Sequence, residues 1–352
     1  MRALSVDFET RSVVDLTDVN AYVYFDDPST DAWCMSYCFS DQPERVETWW
    51  CGAPIPAPVA DHIAAGGILN AWNASFERLC FEKLMGPRYG WPVPELRQWR
   101  CTMAAALAMA LPGKLEMAAP ALGLDVRKDE AGHRLMLQMS KPRKRDPLTW
   151  WDDFDRVERL GAYCEQDVRT EMAVASRILP LSDREQEVWF LDQTVNDRGV
   201  GIDEKLCLSA RAVVREAATR LDAELRDLTG FEVSTATNTG RIRKWLGDHG
   251  VVTDSIAKDV LAELLNRDDL PPAARRVLEI RRDGGKSSTA KIDAMLDRRQ
   301  ADGRMRGNLQ YHGASTGRWA ARGAQLQNLP RPSEENDKTV VKAIIDILLG
   351  AI

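Results

Sequence analysis

Asp7 and Glu9 stand two residues apart near the start of the chain, and Tyr163 and Asp167 stand four apart near its middle. Two-residue spacing on a strand sends both side chains to one face. Four-residue spacing on a helix does the same for the phenol and the carboxylate. If that helix packs across the strand, a hydroxyl and three carboxylates converge. Such oxygen donors suit Mg2+ or Mn2+. Two ions about 4 Å apart can stabilise both the attacking and the leaving oxygen of phosphodiester cleavage. Between the pairs lies Asn70-Ala71-Trp72-Asn73-Ala74-Ser75-Phe76-Glu77, which reads as a strand running into a helix. Asn73 could cap that helix, and Glu77 could present a further acidic group. Each fragment alone has an ordinary explanation, since a DxE is common and an amphipathic helix accounts for YxxxD. Their order along the chain is what points to a shared site.

A second constellation lies near the end. From residue 279 to 331 eleven Lys and Arg face five Asp and Glu, although the whole chain carries a net charge of −6. Within it, Lys286, Ser287, Ser288 and Thr289 offer an ammonium, hydroxyls and backbone amides where a helix is expected to begin, a setting that suits phosphate. A solvated basic face with a Ser cap is the plain alternative, and the glycine spacing of a Walker motif is absent. Downstream come Thr316-Gly317-Arg318 and Gln327-Asn328-Leu329-Pro330 in a polar, glycine-containing stretch.

The elements that must position these groups follow from composition and periodicity. Residues 3–8, 33–39, 46–50 and 67–72 read as strands, and 58–65, 75–85, 101–110, 115–121 and 153–178 as helices. The charged segment 127–148 reads as a surface loop with a short helix. After Leu179-Pro180 the pattern becomes long, charged and helical over 183–229, broken at Gly199-Val200-Gly201-Ile202, with Asp203 able to cap the next helix. Further helices fit 238–249, 254–267, 272–282 and 286–300. The expectation is an α/β domain over 1–180 and an α-rich domain over 181–352. At 44% hydrophobic and 28% charged residues the chain is globular, not disordered. Seven scattered cysteines without a CxxC pair, and four histidines, argue against zinc and for reduced, mostly buried thiols in a cytoplasmic protein. There is no secretory signal pattern. The apolar run 340–352 is too short to span a membrane and reads as an amphipathic helix that ends abruptly.

The set Asp7, Glu9, Asn73 to Glu77, and Tyr163 to Asp167 resembles the three motifs of the DEDD exonuclease superfamily, tyrosine subclass. The likeness covers about the first 180 residues. It implies an RNase H-like fold and removal of nucleotides from 3′ ends with two divalent ions. Asp7, Glu9, Glu77 and Asp167 would then hold the metals, Tyr163 would orient the attacking water, and Asn73 would contact the DNA. Glu77 stands where that family has Asp, so the charge is kept on an arm longer by one methylene. Residues 183–331 resemble the TGR to QN(I/L)P region of family A DNA polymerases, particularly the phage type. That resemblance implies a thumb, with Lys286 to Thr289 on phosphates, Arg318 in the minor groove at the primer terminus, and Gln327 and Asn328 near the same duplex. The family's DYSxxE-like palm motif does not occur before Ile352, nor do the fingers motif and the second palm acid motif. The expected activity is therefore proofreading 3′→5′ hydrolysis with primer–template binding. Palm and fingers would be missing by truncation or supplied by a separate chain. The alternatives are a stand-alone DEDD ribonuclease and a non-catalytic DNA-binding subunit of a split polymerase.

Overall fold

The computed structural model describes residues 2–125, 129–285 and 290–328. Lys286 to Thr289 and the apolar run 340–352 lie outside the described residues. Strands β1 (Ala3–Arg11), β2 (Asp31–Phe39), β3 (Glu47–Trp50), β4 (Ile68–Ala71) and β5 (Trp99–Cys101) form one mixed sheet in the order β3-β2-β1-β4-β5. β1 is central, antiparallel to β2 and parallel to β4. Its parity sorts the chemistry. Leu4, Val6 and Phe8 enter a core with Trp49, Leu69, Phe81 and Trp99. The residues between them include Asp7 and Glu9, which therefore share the opposite face.

Nine helices surround this sheet among the described residues. They are α1 (Ala21–Asp26), α2 (Ala57–Ala64), α3 (Ala74–Cys80), α4 (Gly86–Tyr89), α5 (Thr102–Ala108), α6 (Leu115–Ala121), α7 (Glu130–Met139), α8 (Phe154–Ala175) and α9 (Asp183–Arg198). A wide turn, Phe81–Met85, joins α3 to α4. α8 packs on β1 and β2, where Leu160 and Cys164 meet Trp33 and Cys34. Gly161 makes that approach possible, because a methyl there would overlap the indole of Trp50. Gly132 does the same for α7, since a Cβ there would run into Tyr163 and Asp129.

Contacts group the chain into two compact units. The first is Met1–Gly201 with Arg298–Gly323, and the second is Ile202–Asp297 with the described residues from Ala324 on. The first unit extends beyond residue 180 because specific pairings tie the later segment to it. Val200–Gly201 pairs with Arg304–Met305. The Asn196 amide donates to the Leu309 carbonyl and accepts from the Leu309 N–H. Trp319 Nε1 donates to Asp192 at 2.7 Å.

The second unit is helical: α10 (Glu204–Leu228), α11 (Thr239–Asp248), α12 (Lys258–Leu265), α13 (Pro272–Gly284) and α14 (Ala290–Asp297). Leu225, Val233, Trp245, Leu246, Val277 and Ile280 form its core. The break before α10 follows the sequence reading. Gly199 ends α9 at φ +64° and Asp203 accepts from the Leu206 N–H. The α/β class and the α-rich second part are both present.

Candidate active site

β1 delivers Asp7 and Glu9, α3 delivers Glu77, and α8 delivers Tyr163 and Asp167. All five line one open cleft of about 360 Å³. Glu9 and Glu77 are 7% and 4% exposed, so charge here is held away from bulk water. Asp7 keeps partial access to solvent although protein atoms crowd its carboxylate. Burial, above all, pushes the carboxyls of Asp7, Glu9 and Glu77 up from their usual range. Mutual repulsion adds to this: Asp167 acts on Asp7, and Asp7 acts on Glu9 and Glu77. Asp167 is pushed up to about 6, again chiefly by burial, with Asp129 and Glu116 adding repulsion and a bond from Tyr163 opposing it. The Tyr163 phenol is held protonated by burial and by these carboxylates, and it donates to Asp167.

Four carboxylates kept close against their own repulsion fit a site built for cations. One Glu77 oxygen is buried without a hydrogen-bond partner, as expected of a group whose partner is an ion. Ligand atoms of Asp7, Glu9 and Cys164 lie within 4.8 Å of one another. Cys164 does not act as a thiolate there. Burial and contact with Cys34 raise its thiol, and its Sγ donates to Asp7 Oδ2 at 3.3 Å and to the Asp7 carbonyl at 3.4 Å. The donors free for a metal are therefore hard oxygens, which suit Mg2+ or Mn2+ rather than zinc.

Asn73 occupies the first position before α3, but its side chain makes no capping bond, contrary to the expectation. It is exposed instead and lines the acid cleft and two neighbouring ones. Arg318 is exposed in the first unit, in a turn where Gly317 has φ +76°. Gln327 and Asn328 are exposed in a short 3-10 turn of the second unit, with Asn328 Nδ2 bonded to Gln325 Oε1 at 2.9 Å. Much of the basic stretch is engaged internally. Arg304 donates to the carbonyls of Arg198 and Gly199, Arg306 pairs with Asp302, and Lys291 holds the carbonyls of Ala324 and Gln325.

Sequence reasoning passed over Glu171. It is 3% exposed, one turn beyond Asp167 on α8. Thr102 donates to it, Ser5 is a further hydrogen-bond partner, and its other oxygen is buried without a partner. The signal was available, because Tyr163, Asp167 and Glu171 continue a four-residue rhythm. Cys164 was likewise counted only as a thiol.

No protein-family model matches the sequence. The chain is 36% identical, over an alignment of 355 positions, to a protein described as the DNA polymerase of Bacillus phage SP02. The match takes in 96% of this chain and 52% of the relative, so the chain spans about half the length of the curated relative it matches. Its fold is similar to that of the POL domain of Pol1 from M. smegmatis, solved in complex with DNA primer–template and dNTP. The TM-score is 0.56 at 16% identity, over 95% of this chain and 53% of that one.

Proposed function

We propose that this chain, part of a family A DNA polymerase by its sequence relationship, carries a 3′→5′ exonuclease in its first unit. The reading adopts the RNase H-like assignment for that unit, and DNA as substrate. The observation that carries it is the convergence of Asp7, Glu9, Glu77 and Asp167 in one cleft, with a buried Glu77 oxygen left without a partner. Those four residues would hold two divalent ions, Mg2+ or Mn2+, which supply charge neutralisation and a more acidic water when bound. Asp7 is held in place by the Cys164 thiol, and Glu9 by the strand pairing that sets it opposite Cys34. Tyr163 donates its O–H in a hydrogen bond to Asp167, so its oxygen lone pairs are available to accept from a water and aim it at the terminal phosphodiester. The longer arm of Glu77 reaches the cleft from α3, where it closes the first turn.

The second unit and the loop with Arg318 are proposed to bind primer–template. The exposed guanidinium of Arg318 and the exposed amides of Gln327 and Asn328 support this. Lys286 to Thr289 are proposed phosphate contacts on the sequence alone. The cytoplasm of a bacterial or phage-infected cell is the proposed location, in keeping with a genome-processing role. Among the described residues no helix is long and apolar enough to cross a membrane.

The test is Mg2+-dependent trimming of a single-stranded DNA labelled at its 5′ end. Asp7→Ala and Asp167→Ala should each lose about 10³-fold or more while remaining folded. Wild-type rates in either variant would remove the assignment, and faster cleavage of RNA than DNA would shift it to a ribonuclease.

A further inference from the structure

Glu171 is the buried acid that the proposed reaction does not use. It is 3% exposed and is not among the residues that line the acid cleft. Its place is nevertheless central, because the three elements that carry the cleft acids are tied together at its carboxylate. Glu171 itself belongs to α8, one turn beyond Asp167. Ser5, a hydrogen-bond partner, lies on β1 two residues before Asp7 and so on the same face. Thr102, whose hydroxyl donates to Glu171 Oε1, opens α5. The neighbours of Thr102 hold the chain that enters α3, since the Met103 N–H and the Cys101 thiol both donate to the Trp72 carbonyl. Glu77 follows five residues after Trp72. Glu171 is also close enough for its charge to push up the carboxyls of Asp7 and Glu77.

A helix held to a strand at one point can pivot on it, and α8 is held to β1 at two. Cys164 bonds to Asp7, and Glu171 bonds to Ser5. The two points are seven residues apart, about 10 Å along the helix axis. Asp167 lies between them and Tyr163 beside the first. Their separation from Asp7 and Glu9 is therefore set while both bonds hold.

We propose that Glu171 is a positioning residue for the acid cluster: through Ser5 and Thr102 it locks α8 to β1 and to the entry of α3, so that Asp7, Glu9, Glu77 and Asp167 keep the spacing that two cations need. The proposal rests on the nuclease reading for what the cluster does. It requires of Glu171 an accepting oxygen and not a negative charge. The other oxygen is buried and without a partner, so an amide nitrogen in its place breaks no bond.

The experiment compares Glu171→Gln, Glu171→Leu and Thr102→Val with wild type on the 352-residue chain. Glu171→Gln keeps the accepting oxygen. The other two variants remove the bond from either end. Melting curves in EDTA give the folded fraction, and rates are expressed per folded chain. At saturating Mg2+ and single-stranded DNA, both bond-breaking variants should lower kcat by about 10–10²-fold, the cost of a displacement of about 1 Å. KM for the DNA should stay within about twofold, because Glu171 does not line the cleft. Glu171→Gln should trim within about threefold of wild type. A readout independent of cleavage is the rise in melting temperature on adding Mg2+. It should shrink by about half or more in the two bond-breaking variants and stay at the wild-type size in Glu171→Gln. Full rates per folded chain in both bond-breaking variants, with an unchanged Mg2+ shift, overturn the proposal and leave Glu171 a residue of the fold only. A loss in Glu171→Gln as deep as in Glu171→Leu also overturns it, since the charge and not the bond would then matter. So does a raised KM at unchanged kcat, since Glu171 would then act on substrate binding. A wild-type chain that does not trim removes the exonuclease reading, and the tie is then decided by the Mg2+ shift alone: a smaller shift in both bond-breaking variants upholds it and an unchanged one overturns it.

Discussion

Gly161→Ala tests how the acid cluster is held together. An added methyl would lie 2.8 Å from Cζ2 and 3.3 Å from Cζ3 of Trp50, and closer still to Cη2. Carbon pairs settle near about 3.5–4.0 Å, so either α8 backs away by roughly 1 Å or the indole turns. Overpacking of this kind costs about 1–3 kcal/mol. Alanine in place of glycine in a helix interior returns about 1 kcal/mol. The variant should therefore be destabilised by about 0–2 kcal/mol, read as a shifted urea midpoint. The effect on chemistry should be larger, because Tyr163 and Asp167 ride on the same helix. A displacement near 1 Å can cost about 10²-fold, so trimming should slow by one to two orders of magnitude, ~10–10². Adding Trp50→Leu should relieve the overlap and recover most of the rate. A Gly161→Ala protein that is more stable than wild type and trims within about twofold of it would refute the close-approach argument.

The raised carboxyls predict a pH-linked metal effect. A carboxyl whose folded pKa lies above its unfolded value adds stability below the unfolded pKa and loses it as pH rises through the folded one. With Asp167 at about 6 and Asp7, Glu9 and Glu77 also raised, the metal-free chain should lose melting temperature as pH rises through that range. Mg2+ should restore more of it at about pH 7.5 than at about pH 5.5, and a larger Mg2+ shift at the lower pH would contradict the assignment. Tyr163→Phe should be milder than Asp7→Ala, slowing trimming by about 10–10²-fold, because the phenol orients whereas the carboxylate holds charge; equal residual rates would argue against these roles. Arg318→Ala should weaken binding to a primer–template duplex more than it slows single-strand trimming, as anisotropy and trimming on one preparation would show. The 352 residues alone should not extend a primer, even with Mn2+, and robust extension would mean that polymerase carboxylates are present but unread.

The acid pairs were legible because parity on a strand and a four-residue step on a helix leave few choices of face. The sheet was less so. β5 is only Trp99–Cys101, and the reading merged its last residue into the following helix. α1 was missed because Tyr22, Tyr24 and Phe25 have strand-like composition, and only the Asn20 cap, which accepts from Val23, announces a helix. Asn73 has the residue type of a cap but not the bond, since propensity at such a position is a preference that local geometry can override. Glu171 went unread because a buried acid on an amphipathic helix looks, in sequence, like an exposed one.

The return of residues 298–323 to the first unit is the part that local patterns could not have supplied, because it depends on partners more than a hundred positions away. Its consequence is chemical as well as topological. Counting eleven cations against five anions suggests a free basic surface, but Arg304 and Arg306 lie on backbone carbonyls at the end of α9. They satisfy acceptors that a helix end leaves open, next to a glycine at positive φ. Asp192, raised to about 6 by burial, is matched by the Trp319 indole. Trp319 is therefore a fastener, and the residue beside it, Arg318, is left exposed on a loop tied to α9. The arginine proposed to meet a duplex and the acids proposed to cut a single strand thus belong to one compact unit. Side chains that look alike in sequence have divided roles here: Arg304 and Arg306 hold the loop through internal acceptors, whereas Arg318 stays exposed on it.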